Sequence, residues 1–294
     1  MPLFRRRPSG APRAPSPAPP GPARRPAGAE EPDWRGYDAI AEVYARVHAP
    51  QTALPAADLV EITPVSAGSR VLDIGTGTGV VARAAVARGA ALVVGIDPSL
   101  SMLAAAGREG GGALYAAAEA IDLPFRAGTF DAVLSGFALT HFAKVDTALF
   151  DMLRVLKAGG RLGVATWGPG GDEFTRAWNE VAERFAEHEI LQDAYLRAIP
   201  AGERFSDPAR LKDALHEAGL RDIRIERREY RFEISAEDYL LGRETAATGR
   251  FLRQMLGDEF WETFRHETRE VFAERFPPAF NDFREVILAA GHKP

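Results

Sequence analysis

The stretch RVLDIGTGTG, residues 70–79, constrains the fold more than any other part of the chain. Its apolar run is typical of a buried strand, and the three glycines allow backbone dihedral angles that other residues avoid. In open α/β sheets, ligands bind beyond the carboxyl ends of the strands, and the turn after the first strand is the usual place. The stretch therefore predicts a strand, a ligand-binding turn and a helix in succession.

After this turn the chain alternates between short apolar runs and amphipathic stretches. Strands are predicted at residues 71–74, 92–96, 114–116, 132–135, 161–166, 223–232 and 286–290, and helices at 80–88, 99–106, 146–156 and 207–220. Such alternation indicates βαβ units, and hence a parallel sheet with helices on both faces. The sequence predicts an α/β, Rossmann-like fold.

Four further helical stretches interrupt or precede this alternation. Apolar residues recur at helical spacing in residues 34–50, where Pro50 is predicted to end the helix, and a second short helix is predicted at 57–63. Residues 172–199 and 237–280 are rich in aromatic side chains and are predicted to be helical insertions. Because both emerge beside the carboxyl edge of the sheet, we expect them to enclose an apolar substrate pocket.

The amino-terminal segment differs in composition from the rest. Residues 1–30 hold nine of the 21 prolines and almost no large apolar side chains, so they cannot offset the entropy of becoming ordered. We predict a disordered tail over residues 1–32 and one domain over residues 33–294.

Charge and composition exclude several classes of partner. Residues 1–29 carry six arginines and no acid, which leaves 30 basic against 41 acidic side chains in the remainder. A body this acidic repels phosphate backbones, so we expect no nucleic-acid partner. No apolar run reaches the roughly 18 residues of a membrane span, and the absence of cysteine excludes thiolate metal sites. We expect a cytoplasmic protein without a metal.

Two acidic residues narrow the choice of ligand. The dinucleotide fingerprint requires a glycine at position 80, where this chain has Val80. Asp73, two residues before the first glycine, would repel a pyrophosphate but suits an ammonium or a sulfonium. Asp97, at the tip of the next strand, can accept two hydrogen bonds from a ribose diol. Asp97 fits a nicotinamide dinucleotide equally well, so that ligand stays an alternative.

Four motifs in register carry a family resemblance. VLDIGTGTG, VVGIDPSLSML, AAAEAIDLPFRAGTFDAVLSGFALTHF and ALFDMLRVLKAGGRLGVATW occur in this order between about residues 35 and 168. Together they resemble the class I S-adenosylmethionine-dependent methyltransferases, in particular the bacterial small-molecule branch with the ubiquinone and menaquinone C-methyltransferases. The resemblance implies S-adenosylmethionine as the cofactor. It also implies a seven-stranded sheet of order 3-2-1-4-5-7-6 whose last strand is antiparallel.

The resemblance implies a cofactor site at the ends of the first four strands. Its cofactor-binding residues would be Tyr44, Asp73, Gly75, Thr76, Gly77, Asp97, Pro98, Met102, Ala118, Glu119, Ser135 and Phe137. Asp73 would reach the amino group of the methionine part, and Asp97 would hold the ribose. The family often has an acid where this chain has Ala117, so either Glu119 replaces that acid or the bond to the adenine amino group is missing.

Several assignments have a structural alternative. The glycines could merely turn the chain, and Asp97 could be the N-cap of the following helix. Met102 could belong to the core. Tyr44 and His48 lie on the helix that folds over the cofactor in this family, where either could touch a ligand or pack.

His141 is the one candidate catalytic residue. It lies just past the fourth strand, where a substrate would arrive, and an imidazole can take a proton from a phenol, an enol or an acid. The alternative is a packed or solvated histidine.

We predict methyl transfer from S-adenosylmethionine to an oxygen or carbon of an apolar small molecule, of the kind used in secondary metabolism. The sulfonium already has a good leaving group, so the protein has to align the reactants and exclude water. Two alternatives remain: a cyclase or rearrangement enzyme that binds the cofactor without transferring methyl, and a nicotinamide oxidoreductase.

Overall fold

A computed structural model describes residues 36–294, so the tail predicted over residues 1–32 lies outside the described residues. The strands are β1 (Arg70–Ile74), β2 (Leu92–Asp97), β3 (Leu114–Ala117), β4 (Phe130–Gly136), β5 (Leu156–Trp167), β6 (Arg221–Ser235) and β7 (Ala279–His292). The helices are α1 (Ala41–Val43), α2 (Ala49–Ile62), α3 (Val80–Ala87), α4 (Leu100–Glu109), α5 (Val145–Val155), α6 (Glu173–Ala182), α7 (His188–Ala198), α8 (Gly202–Phe205), α9 (Pro208–Glu217), α10 (Ala236–Thr245) and α11 (Ala247–Arg275).

The strands form one sheet of order β3-β2-β1-β4-β5-β7-β6, which confirms the predicted order. Strands β1 to β5 pair in parallel, and β7 runs antiparallel to both β5 and β6. The carboxyl ends of β1, β2 and β4 consequently meet at one edge.

Side chains of β1 alternate between the two faces of the sheet, as the period of a strand requires. Leu72 and Ile74 pack with α5 and α9 on one face, and Val71 packs with α2 and α3 on the other. Burial on both faces explains why this strand is an unbroken apolar run until Asp73.

The prediction that Pro50 ends the first helix is wrong. A 3-10 turn (Asp38–Ile40), α1, a π-helical turn (Tyr44–His48) and α2 follow one another without a break, and Pro50 and Pro55 lie within α2. A proline in a helix clashes with the carbonyl four residues before it. The wider π-helical turn lies directly before Pro50, where that clash would otherwise occur.

The insertions are helical, and they build a third apolar cluster of their own. The cluster includes Phe174, Trp178, Tyr239, Trp261, Phe264 and Phe272. The second insertion is shorter than predicted, because α11 ends at Arg275 and β7 already begins at Ala279. Among the described helices, none is long and apolar enough to cross a bilayer.

Candidate active site

The glycine turn between β1 and α3 has the conformation that the sequence predicts. Gly75, Gly77 and Gly79 have φ angles of 68°, 52° and 79°, which disfavour any side chain. A Cβ atom on Gly75 would lie 2.3 Å from the Cβ atom of Ala138, so the turn approaches the end of β4 closely. A Cβ atom on Gly77 would meet nothing within 4 Å, which leaves open space above the turn.

Asp73 is buried at the carboxyl end of β1 with one oxygen unsatisfied. Its Oδ2 atom accepts a hydrogen bond from Thr76 Oγ1 at 2.6 Å. Its Oδ1 atom is buried and has no hydrogen-bond partner among residues 36–294. Burial raises the pKa of Asp73 to about 7, against the opposing effect of the bond from Thr76. A buried carboxylate oxygen without a donor can accept a hydrogen bond from a ligand.

Asp97 joins the glycine turn to the start of α4. Its Oδ2 atom accepts from the backbone N–H of Gly77 at 2.9 Å, and its Oδ1 atom from that of Ser99 at 2.9 Å. The structural alternative for Asp97, an N-cap, is wrong, because Ser99 caps α4 by accepting from the N–H of Met102. Each carboxylate oxygen can still accept a second bond, as ribose hydroxyls would require.

Asp38, which the sequence reasoning missed, connects the first helical segment (residues 38–62) to this edge of the sheet. Its Oδ1 atom accepts from Ser99 Oγ at 2.7 Å and from the N–H of Ser101 at 3.0 Å. These hydrogen bonds lower the pKa of Asp38. No local spacing signals such a role, because the partners are more than 60 residues away.

The residues assigned to the adenine side differ widely in exposure. Met102 is only 2% exposed, so its contact with an adenine would require a rearrangement. The backbone N–H of Ala118 donates to the Asp97 carbonyl at 3.3 Å. Pro98 and Glu119 are exposed. The adenine contacts stay predictions.

Two residues assigned to the floor of the site lie at the end of β4. Ser135 is fully buried, and its hydroxyl has no hydrogen-bond partner among the described residues. Phe137 has a φ of 61°, which is rare for a bulky residue, and its ring stacks on Trp167 at 4.3 Å. Backbone strain of this kind concentrates at functional sites.

His141 is held in one tautomer. Its Nδ1 atom lies 3.3 Å from the carbonyl of Ala198, which can only accept, so Nδ1 carries the hydrogen. Its Nε2 atom is then the acceptor and lies 3.5 Å from the hydroxyl of Tyr37. Burial lowers the pKa of His141 to about 4, so the ring is neutral at pH 7.

Tyr37 and Tyr44 connect His141 to His48. The two tyrosine rings meet edge to face at 6.0 Å, and Tyr44 lies 5.2 Å from the ring of His48. Burial raises the pKa of Tyr44, and burial with nearby Arg284 lowers the pKa of His48 to about 4. The first helical segment therefore covers the carboxyl edge with neutral rings.

Three arginines from the second insertion and β7 each lie over an aromatic ring. The Arg250 guanidinium lies 5.2 Å from the Tyr37 ring, and that of Arg284 lies 5.3 Å from Trp167. Arg243 lies 4.8 Å from the ring of Trp178. Sequence reasoning missed all three and predicted an apolar pocket there. The available signal was the occurrence of arginines inside aromatic stretches.

Over residues 72–164, the chain matches a family described as a methyltransferase domain. A demethylmenaquinone methyltransferase of Renibacterium salmoninarum is 33% identical over 165 residues, which are 53% of this chain and 68% of the relative. The chain belongs to the class I S-adenosylmethionine-dependent methyltransferases.

Other comparisons agree with this family. A demethylmenaquinone methyltransferase of Parafrankia sp. is 37% identical over 47% of this chain and 57% of the relative. The chain spans about half the length of the first curated relatives that it matches. The solved structure of Haemonchus contortus phosphoethanolamine N-methyltransferase 2 with S-adenosyl-L-methionine is similar with a TM-score of 0.55, at 19% identity, over 92% of this chain and 61% of that one. That likeness concerns the fold alone.

The residues at the glycine turn fit the cofactor of this family. The unsatisfied Oδ1 atom of Asp73 can accept from the ammonium of S-adenosylmethionine, and the carboxylate of Asp97 can accept from its ribose. The open space at Gly77 leaves room beside the turn. Among residues 36–294, no cluster of three or more histidines and acids could hold a metal ion.

Proposed function

We propose that this protein transfers the methyl group of S-adenosylmethionine to an oxygen or carbon of a small molecule that is mostly apolar. The observation that carries the proposal is the buried, unsatisfied carboxylate oxygen of Asp73 beside the glycine turn. The relatives that are named as demethylmenaquinone methyltransferases support transfer of a methyl group.

The bound cofactor supplies an electrophilic methyl group on a sulfonium. Asp73 would accept hydrogen bonds from the ammonium group, and Asp97 would accept them from the ribose hydroxyls. Because both carboxylates are fixed by the turn and by Ser99, they restrict where the sulfur and its methyl group can lie. Such positioning contributes a large part of the catalysis in an in-line displacement.

The acceptor would bind between the end of β4 and the first helical segment. Phe137, whose ring stacks on Trp167, would lie on one side of the acceptor, and Tyr37 and Tyr44 on the other. These rings exclude water from the reacting atoms, which protects the sulfonium and strengthens electrostatic interactions.

His141 would receive the proton that the acceptor loses. Its Nε2 lone pair faces the hydroxyl of Tyr37, which an acceptor can displace or use as a relay. With a pKa of about 4, full transfer from a phenol of pKa ~10 would cost about 8 kcal/mol. The site therefore favours an acceptor whose nucleophilic atom ionises readily, or proton transfer that follows methyl transfer.

Two alternatives have less support. A cyclase that only binds the cofactor would share the fold, but the curated relatives cited above are named as methyltransferases. A nicotinamide oxidoreductase would place a pyrophosphate beside Asp73, where the two anions repel each other. The cytoplasmic location and the absence of a nucleic-acid partner stay predictions from the sequence.

A test combines purified full chain, methyl-labelled S-adenosylmethionine and a panel of naphthoquinols, phenols and aromatic or aliphatic acids. We expect labelled product and one S-adenosylhomocysteine per methylated molecule. Binding of the cofactor without labelled product across the panel would contradict the transfer. A converted acceptor without release of S-adenosylhomocysteine would support the cyclase instead.

A further inference from the structure

Arg243 on α10 is a cation without a matching anion. Its Nε atom is buried and has no hydrogen-bond partner among the described residues. Its Nη2 atom makes one long hydrogen bond, 3.4 Å, to Asn179 Oδ1, and no carboxylate of residues 36–294 forms an ion pair with it. A guanidinium remains charged at any physiological pH, so this charge calls for a partner that the protein itself does not supply.

The carboxyl groups near Arg243 have other partners. Asp172 accepts a hydrogen bond from the backbone N–H of Thr175 at the start of α6. Burial raises the pKa of Asp282, and Asp282 accepts from Arg284 Nε at 2.8 Å. Both carboxylates attract the Arg243 guanidinium, but neither accepts a hydrogen bond from it, so its Nε–H stays without an acceptor among the described residues.

A second unsatisfied donor lies against Arg243. The indole N–H of Trp178 on α6 is buried and has no hydrogen-bond partner among residues 36–294. The Arg243 guanidinium lies 4.8 Å from the centre of the Trp178 ring. Two neighbouring buried donors that both lack an acceptor are rare in native proteins, and an anionic oxygen group would satisfy both.

Arg243 and Trp178 belong to the helical lid, which consists of residues 38–62 and helices α6, α7, α10 and α11. Gly242, next to Arg243 on α10, packs against His48, since a Cβ atom there would lie 3.4 Å from His48 Cε1. His48 in turn contacts Tyr44 above the predicted cofactor site. These contacts connect α10 to the rings above the predicted cofactor site.

We propose that Arg243 and Trp178 bind an anionic oxygen group, a carboxylate or a phosphate, at the end of the acceptor remote from the methylated atom. This inference rests on the proposed function and specifies its substrate class: an amphiphilic acid with an apolar body. The flat guanidinium fork matches the geometry of such a group. Trp178 would donate a second hydrogen bond and pack against the apolar part.

The test compares acids with neutral amides of the same shape. Full-length protein, saturated with S-adenosylhomocysteine, is titrated calorimetrically with benzoate, 2-naphthoate and decanoate, and with the corresponding amides. We expect at least one acid to bind about tenfold or more tightly than its amide. Phenyl phosphate, set beside benzoate, distinguishes a phosphate from a carboxylate. If no acid of the panel and no phosphate binds better than its neutral analogue, the proposal is overturned.

Variants test whether Arg243 and Trp178 cause the preference for acids over amides. Arg243→Gln should bind acid and amide equally, Arg243→Lys should keep a reduced preference, and Trp178→Phe, which retains a ring without the N–H, should lose part of it. The matched control is Arg275→Gln, because Arg275 lies in the same lid but pairs with Glu180 at its surface. A preference that persists in Arg243→Gln would overturn the proposal, as would its loss in the control. If Arg243→Gln does not fold, the lysine and phenylalanine variants decide.

The readouts separate this inference from the proposed function. Binding of S-adenosylhomocysteine is measured first and does not depend on Arg243. An acid preference together with a failed methyl-transfer assay would contradict the proposed reaction and leave the anion site standing. Methyl transfer to anionic acceptors, with equal rates in Arg243→Gln and the native chain, would contradict the anion site alone.

Discussion

The glycine turn and the helical lid have opposite electrostatic character. At the turn, Asp73 and Asp97 present carboxylate oxygens at the ends of two strands. In the lid, Arg243 presents a guanidinium with no carboxylate partner among the described residues, against an aromatic ring. One region is therefore suited to a cationic ligand and the other to an anionic one.

The two regions also differ in how the charge is held. Asp97 accepts two backbone hydrogen bonds, which are fixed by the strand and the helix cap. The lid charges lie on helices that pack mainly through aromatic rings. The charges at the glycine turn are thus fixed by backbone hydrogen bonds, whereas the charge in the lid is held by packing against a ring.

Substitution of Asp73 should give the largest effect. It tests whether the glycine turn binds a cationic ligand. Asp73→Asn removes the charge but keeps the size, so we expect the affinity for S-adenosylhomocysteine at pH 8 to fall about 100-fold by calorimetry. The melting temperature of the ligand-free protein should not fall, because burial of an ionised Asp73 is itself unfavourable. Asp131→Asn, at an exposed ion pair with Lys157, is the control. Equal affinities of the two variants would contradict the binding of a cationic ligand at Asp73.

Substitution of His141, which lies between the two regions, tests whether its imidazole takes part in catalysis. His141→Gln keeps a polar side chain but has no basic nitrogen, so we expect kcat to fall about 50-fold with little change in cofactor affinity. Single-turnover assays with the best acceptor of the panel check this. His266→Gln, on the exposed face of α11, is the control. An unchanged kcat would assign His141 a packing role.

Substitution of Gly75 tests whether the close approach of the glycine turn to Ala138 matters for cofactor binding. Gly75→Ala introduces both a strained φ of 68° and a contact at 2.3 Å with Ala138, so we expect cofactor affinity to fall about 20-fold. Gly68→Ala has a similarly positive φ but no atom within 4 Å, so it measures strain alone. If both variants lose stability and affinity equally, the close approach to Ala138 has no separate effect.

The dependence on pH should be the smallest effect and concerns Asp73 again. The folded protein without cofactor holds a proton on Asp73 up to a pKa of about 7, above its ordinary value of 3.8. Binding of an ammonium favours the ionised form, so S-adenosylhomocysteine should bind roughly tenfold more weakly at pH 6 than at pH 8. Calorimetry in two buffers of different ionisation enthalpy should detect proton release on binding near pH 6.5.

The same pKa fixes the sign of the effect on stability. Between pH 3.8 and about 7 the folded chain binds more protons at Asp73 than the unfolded chain, so this residue's contribution to stability falls as the pH rises. Asp73→Asn should remove that part of the slope. A slope and an affinity profile that are unchanged in Asp73→Asn would contradict the assignment of Asp73.

Local patterns in the sequence predicted most of the strands and the glycine turn. The apolar run before Asp73, the three glycines and the acid at the tip of β2 are short-range features, and their consequences follow from strand period and backbone freedom. The strand order required the family resemblance as well. The continuous helix through Pro50 could not be predicted, because the π-helical turn before it has no local signature.

The sequence by itself determined that residues 70–97 form a strand, a glycine turn, a helix and a second strand, with an acid near the end of each strand, because each of those features depends on neighbours in the chain. Only the tertiary structure decided which distant side chains face each other. Tyr37 meets His141 across 104 positions, and Arg243 meets Trp178 from another helix. Whether a buried charge has a partner depends on such long-range packing, so the cation in the lid emerged only from the folded chain.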